Sequence, residues 1–415
     1  MPMQSLTGFR DFYPEDCARR DYLLGRWRSV ARRSGFVEFD SPVLESTELY
    51  AKKNESGAEI MDQLYRFPDK GGRDVALRPE LTPTLARMVA ARERHYRKPL
   101  KWFSIATFFR YERPQKGRLR EFIQFNADLI GDASPAADAE LIALAIAILR
   151  DLGFTEKDFV VRLSDRRAWT RFLADRNVAD SRAVLALVDK IEREPATSLD
   201  AKLAPHGLST ADLREFIATG SPDDFSEILA DLTARGLRDY VAVDLSIVRG
   251  LAYYTGLVFE IFDREKNNRA LAGGGRYDTL LSDLSDGSCD LPAIGFGMGD
   301  VVLGDFIDET PAAAAKRPKP TATDLYVVIT DESKRPEALA LVEQLRTAGH
   351  RTDFPLSATK TNKQFQAAEH LGAQQAIIID QDWPVIALRN LSSRATEVLS
   401  IEDLLTFLQK SCQSY

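Results

Sequence analysis

Two apolar, strand-like runs, Phe103–Glu112 and Glu121–Ile130, flank one polar loop, Arg113–Arg120. Runs of this kind joined by a single short loop predict an antiparallel hairpin. The first run carries Arg110, and a charge in a buried strand is costly unless something pairs with it. A bound phosphate meets that need, because a guanidinium fork holds two phosphate oxygens. Arg113, Lys116 and Arg118 on the loop could then close over the rest of a triphosphate. The plainer alternative is a structural network, Arg110 with Glu112 or Arg120 with Glu121. The number of cations gathered around one turn favours phosphate.

The wider neighbourhood is basic in a chain that is not. Net charge is −7 over 415 residues, yet Arg92–Arg120 holds ten Lys/Arg against Glu93 and Glu112. A local positive field in an acidic protein suits ATP or a local RNA contact. Taken alone, such a run is more often a solvated face. The three cysteines, Cys17, Cys289 and Cys412, lie far apart and imply neither a disulfide framework nor a zinc cluster. The N-terminal residues are charged where a signal peptide needs an apolar run, and no stretch approaches the length of a membrane span. A reducing, cytoplasmic compartment without membrane attachment is therefore expected.

Along the chain, Tyr13–Asp16 opens a helix that Gly35 closes, and residues 36–45 read as a strand interrupted by Pro42. Leu64–Phe67 and Val75–Pro79 form a hairpin around Asp69–Gly72, and Thr82 to about His95 is helical. Ser134 caps a buried helix, Pro135–Leu152, followed by a strand at Phe159–Ser164. From about 165 to 235 the pattern is helical, an insertion between strands. Strand character returns at Tyr240–Val248, Tyr253–Asp263 and Pro292–Gly297. Residues 309–323, rich in Ala, Pro and Lys, read as a linker. Beyond it, 324–415 alternates strands and helices and predicts a small α/β domain.

Three further segments carry chemistry. Leu77–Thr82 places Glu80 and Thr82 after a strand, where the carboxylate could meet an ammonium or an imidazole N–H; helix-start residues would look the same. Arg249–Glu260 holds an arginine beside a glycine, then Tyr253 and Tyr254, which offer an aromatic face and a hydroxyl to a small polar ring. Strand tyrosines are, however, usually packing residues. Gly273–Asp278 and Gly295–Gly299 are glycine-dense turns that fit neither dinucleotide nor P-loop spacing. The four histidines, 95, 206, 350 and 370, all fall outside these segments.

Taken in order, LRPELT, FFRYERPQKGRLREFIQF, RGLAYYTGLVFE, GGGRYD and PAIGFGMG resemble the histidyl-tRNA synthetases, from about residue 7 into the C-terminal domain. The hairpin is similar to class II motif 2 in its histidine-enzyme form, and RGLAYYTG to the segment that distinguishes this family. The resemblance implies an α/β chain with an α+β catalytic core over 1–308. That core is a class II antiparallel sheet flanked by helices, with the helical insertion at about 165–235. The linker 309–323 and an anticodon-binding-type domain at 324–415 would follow. It implies two-step ligation: L-histidine is activated with ATP and Mg²⁺ to histidyl-adenylate, then transferred to the 3′ end of tRNA(His) by a cytoplasmic homodimer, with Pro42 at the dimer interface.

Residue by residue, the resemblance gives Arg110 and Arg249 catalytic contacts to the α-phosphate, Glu112 the adenine side and Arg118 the outer phosphates. Glu80, Thr82, Gln124 and Asp128 would hold histidine's amino and carboxylate groups and fix its orientation. Tyr253 and Tyr254 would line the imidazole pocket, with GGGRYD as a wall. The chain departs from the common pattern at Ala252, Leu81 and Pro83. At Gly299–Leu303 a valine stands where the motif 3 arginine belongs, which leaves Arg276 or the 113–120 loop to replace it. Two alternatives follow: a histidine-sensing regulatory paralogue of the type that serves ATP phosphoribosyltransferase, and an inactive nucleic-acid-binding accessory protein. Retention of Arg110, Arg249 and the C-terminal domain weighs against the first. Retention of Glu80, Gln124 and the tyrosine pair weighs against the second. The C-terminal stretch, with nine Lys/Arg and twelve Asp/Glu, gives no bulk signal for RNA.

Overall fold

The computed structural model describes residues 4–51, 58–192, 194–219, 225–248, 253–265, 269–317 and 323–412. They fall into two compact units, Met1–Arg317 and Pro318–Tyr415.

The first unit is built on eight strands: β1 (Val37–Glu38), β2 (Leu100–Phe109), β3 (Glu121–Ile130), β4 (Phe159–Asp165), β5 (Val241–Val243), β6 (Leu257–Asp263), β7 (Ala272–Arg276) and β8 (Ala293–Gly299). Their order in the sheet is β1-β2-β3-β8-β7-β6-β4-β5. The six central strands pair antiparallel, and the short edge strands β1 and β5 join in parallel. The predicted hairpin is β2–β3, in register from Leu100↔Ile130 to Phe109↔Glu121.

Strand alternation decides what each face carries. On β3, Ile123, Phe125, Ala127 and Leu129 pack into the main core, under α1 (Pro14–Arg33) and α3 (Pro135–Leu152), while Gln124, Asn126 and Asp128 point to the other face. That second face holds the site. α1 begins with Pro14, Glu15 and Asp16 and ends in Arg32 and Arg33, matching charge to the helix dipole. Gly35, at φ +77°, then turns the chain into β1 in a conformation that disfavours side chains. Ser134 caps α3, its hydroxyl accepting from the Ala137 N–H at 3.3 Å. Trp27, Phe125, Ile142 and Leu149 are among the wholly buried side chains that bind these helices to the sheet. Between β4 and β5 the helices Arg166–Asp175, Ser181–Val188, Ala196–Leu203, Thr210–Thr219 and Ser226–Ala234 form the predicted insertion.

Several expectations need correction. The run 36–45 is two short strands on different sheets: β1, and Leu44–Ser46, which joins Arg66–Pro68 and Asp74–Leu77 in a separate three-stranded sheet. Pro42 lies between them, lacking the N–H that a continuous ladder requires. β2 stops at Phe109, so Arg110 is half-buried just beyond the strand. Of the two glycine-dense segments, Gly273–Asp278 is mostly strand β7 rather than a turn, and Gly295–Gly299 is the continuation of the strand expected at Pro292–Gly297, as β8. The expected linker is helical over Pro311–Lys316, where Ala313 joins the main core and Arg317 pairs with Asp308 at 2.7 Å. Proline at a helix start and an alanine run are good helix formers, and composition alone hid them.

The second unit has five strands, β9 (Leu325–Ile329), β10 (Thr352–Asp353), β11 (Gln375–Ile379), β12 (Val385–Asn390) and β13 (Thr396–Ser400), ordered β10-β9-β11-β12-β13. β9 is buried on both faces. Leu325, Val327 and Ile329 meet one cluster with Leu341, Leu345 and Leu404, and Tyr326 and Val328 meet another with Ala368 and Ala376.

Candidate functional site

A cavity of about 980 Å³ opens on the second face of the large sheet, lined among others by Arg110, Glu112, Arg118, Gln124, Tyr254 and Glu260. The hairpin supplies one wall. Arg110 Nε donates to the Pro79 carbonyl at 3.0 Å, and its guanidinium lies over the Phe122 ring at 5.2 Å, which fixes the group against both the hairpin and the Glu80 segment. Arg118 pairs with Glu112 at 2.7 Å, Lys116 with Glu309 at 3.3 Å, and Arg120 donates to the Glu112 carbonyl. The loop cations are thus partly neutralised by carboxylates of the protein, as a structural network would be.

Behind the cavity wall lies a buried polar chain. Tyr253 donates from its hydroxyl to Glu80 Oε2 at 3.1 Å, and Tyr277 donates to Asp128 Oδ1 at 2.6 Å. The Tyr253 ring meets Tyr254 edge-on at 5.2 Å and Tyr277 at 5.8 Å, so the two hydrogen-bonded pairs are knit together by aromatic contact. Burial, then the Glu80 carboxylate, pushes the Tyr253 hydroxyl well above the usual tyrosine range. Burial pushes Asp128 up to about 7, against the Tyr277 hydrogen bond, which pulls it down. Thr82 begins α2 (Thr82–Arg92), two residues beyond Glu80.

The glycines of β7 and β8 have a spatial reason. A Cβ at Gly295 would run into the Asp128 carboxylate, and one at Gly297 into the Gln124 amide. At Gly274 it would meet the Gly295 carbonyl and Phe296. The glycine-rich stretch therefore makes room for polar side chains on the neighbouring strand, a use of glycine unrelated to phosphate loops.

Of the residues singled out by sequence, Arg110, Glu112, Arg118, Gln124 and Tyr254 line the cavity; Glu80, Asp128 and Tyr253 form the buried layer beside it. Arg249 and Ala252 lie outside the described residues. Arg276 is not a substitute for the motif 3 arginine. It is buried, bonded to Asp138 at 2.6 Å, to Asp278 at 3.1 Å and to the Asp132 and Ser134 carbonyls. Sequence reasoning missed Arg162, Asp189, Glu192, Ser246 and Arg269, all of which line the cavity. Arg162 pairs with Asp244 at 3.2 Å and lies over Phe262. As the one charge in the apolar, strand-like run Phe159–Ser164, it carried the same signal as Arg110.

The described residues contain no cluster of three or more His, Cys, Asp or Glu suited to a metal, and no helix among them is long and apolar enough to cross a membrane.

The family description "Histidyl-tRNA synthetase" matches residues 8–299, and "Anticodon binding domain" matches 324–411. The chain is 45% identical to the histidine–tRNA ligase of Opitutus terrae over 94% of each chain, and 38% identical to that of Haloarcula marismortui over 91% of this chain and 90% of the relative. In fold it is similar to the histidyl-tRNA synthetase of Nostoc sp. PCC 7120, with a TM-score of 0.81 at 23% identity over 99% and 100% of the two chains. A Bacillus halodurans protein described as an ATP phosphoribosyltransferase regulatory subunit/histidyl-tRNA synthetase has the same fold, at a TM-score of 0.72, 23% identity and coverage of 91% and 98%. With a match over most of the chain and relatives aligned nearly end to end, the chain belongs to the histidyl-tRNA synthetase family.

Proposed function

We propose that this chain is a histidine–tRNA ligase that activates L-histidine with ATP and transfers it to the 3′ end of tRNA(His). The observation that carries the reading is one cavity lined by Arg110, Arg118 and Gln124 of the hairpin and by Tyr254, in a chain aligned almost throughout with histidine–tRNA ligases. Arginines stay protonated at any working pH and suit the phosphate side. The layer of Glu80, Tyr253, Asp128 and Tyr277, with Thr82 close by, suits a small zwitterion with an imidazole ring.

In the first step the histidine carboxylate attacks the α-phosphate and pyrophosphate leaves; in the second, the terminal ribose hydroxyl of the tRNA attacks the activated carbonyl. Arg110 and Arg249 would stabilise charge on the α-phosphate, Arg118 would reach the outer phosphates, and Glu112 would face the adenine. Glu80, Thr82, Gln124 and Asp128 would hold the amino acid, and Tyr253 and Tyr254 its ring. ATP would arrive as its Mg²⁺ complex, and the carboxylate of Glu260 on the cavity wall is a donor of the kind Mg²⁺ takes.

Residues 324–411 are the natural contact for the anticodon, an assignment supported by the family match rather than by charge. A homodimer is supported by the exposed apolar side chains Val37, Val43, Leu44 and Phe67, which occur on either side of Pro42 and on the small sheet. The regulatory paralogue has less support, since its likeness is one of fold. Incubating the full chain with labelled histidine, ATP, Mg²⁺ and tRNA(His) tests the proposal. Label on tRNA is expected, and binding of histidine without charging would favour the regulatory reading.

A further inference from the structure

The valine at the motif 3 position is Val302, in the first turn of α4 (Asp300–Glu309). It lines the cavity together with Gly117, near the tip of the hairpin loop, and Arg269, on the approach to β7. Gly117 has φ +73°, and a Cβ placed on it would lie 3.1 Å from Val302 Cγ2 and 3.5 Å from Arg269 Cδ. Three elements remote in sequence thus converge on one spot of the cavity wall: the loop tip, a short apolar side chain and the stem of an arginine. The short side chain at 302 leaves space that a long one there would compete for, and the stem of Arg269 runs through that neighbourhood. Arg269 is exposed, and it lines this cavity with Arg110 and Arg118 of the hairpin and with Arg162. A guanidinium in this place suits phosphate oxygens, which it can hold two at a time.

We propose that Arg269 binds the outer phosphates of ATP, supplying from the approach to β7 the cation that the common family pattern supplies from motif 3. The proposal rests on the reading of this cavity as the site of histidine activation. Arg269 then belongs to the ATP half of the site, and it has no part in holding histidine. Position 302 and position 269 serve one phosphate-binding spot, which a single arginine can fill from either side.

The test is ATP–pyrophosphate exchange by the full-length chain, with histidine and ATP varied separately. Arg269→Ala is expected to raise KM for ATP by about 10- to 100-fold, the effect of losing a charge-assisted hydrogen bond. KM for histidine should stay within about twofold, because ordinary surface changes have small effects. Arg269→Lys should fall between the two, keeping the charge and losing the fork. Val302→Arg introduced into Arg269→Ala should recover about tenfold of the lost ATP affinity. An unreactive histidyl-adenylate analogue, which has no β- or γ-phosphate, should bind wild type and Arg269→Ala equally.

An unchanged KM for ATP in Arg269→Ala overturns the proposal, as does a parallel rise for ATP and histidine, which would mark a structural role. Weaker binding of the analogue overturns the assignment to the outer phosphates. Failure of Val302→Arg to recover affinity overturns the shared spot. Wild-type protein without any exchange is a different result, and refutes the activation reading itself.

Discussion

At the scale of single residues, Asp128 joins structure to pH. Its folded value of about 7 lies above the roughly 3.9 of an unfolded aspartate. Between about pH 4 and 7 the folded chain therefore keeps a proton that the unfolded chain has released. The associated stabilisation is complete below about pH 4 and is lost as pH rises through about 7. Asp128→Asn should remove this slope: denaturant unfolding should find the variant gaining stability over wild type by a few kcal/mol between pH 5 and 8. Tyr277→Phe, which removes the hydrogen bond that pulls Asp128 down, should shift the wild-type slope to higher pH. Gly295 offers a second test. Gly295→Ala drives a methyl group into the Asp128 carboxylate and should destabilise by about 1–3 kcal/mol, whereas Gly299→Ala, with open space around it, should stay within about 0.5 kcal/mol. None of this could be read from the sequence, because a glycine in a strand says that something comes close without saying what. Arg269 was silent for the same reason: its neighbours Gly117 and Val302 come from distant parts of the chain.

At the scale of elements, the local signals were strong wherever pattern and caps agreed. The hairpin 100–130, the helix Pro135–Leu152 with its Ser134 cap, and the insertion between β4 and β5 were all legible, because alternation, helical period and capping residues are written in contiguous sequence. Strand ends were less so. Arg110 reads as part of an apolar run, yet β2 ends one residue earlier, where the chain turns to bring its guanidinium to the Pro79 carbonyl. The helix Pro311–Lys316 and the strand nature of β7 were missed because composition outweighed packing, whereas β8 matches the strand expected at Pro292–Gly297. The tie between β7 and α3 is a buried ion pair, Arg276 with Asp138, and burial pushes Asp138 up to about 6 even beside that arginine. Removing the cation strands a buried carboxylate, so Arg276→Ala should lose about 3–5 kcal/mol in denaturant unfolding. Exposed Gly25 in the interior of α1 has nothing near its missing Cβ, and Gly25→Ala should gain about 0.5–1 kcal/mol.

At the scale of the whole molecule, the two units each have a core of their own, and the family matches divide similarly, at 8–299 and 324–411. If the first unit holds all the groups that activate histidine, residues 1–317 alone should keep pyrophosphate exchange and lose tRNA charging; a folded fragment without exchange would contradict this. Class and amino-acid specificity were legible in the order of LRPELT, the Arg110 hairpin and RGLAYYTG. The manner of holding ATP was not, since it depends on how β7, α4 and the hairpin loop meet in space. Activation of histidine in this cavity is read out by histidine-dependent ATP–pyrophosphate exchange. Wild type should exchange only when histidine is present, and Arg249→Ala should fall by about 100- to 1,000-fold, the range for losing a cation or donor at a developing oxyanion. Exchange that is absent, that runs equally well without histidine, or that survives intact in Arg249→Ala would contradict the account.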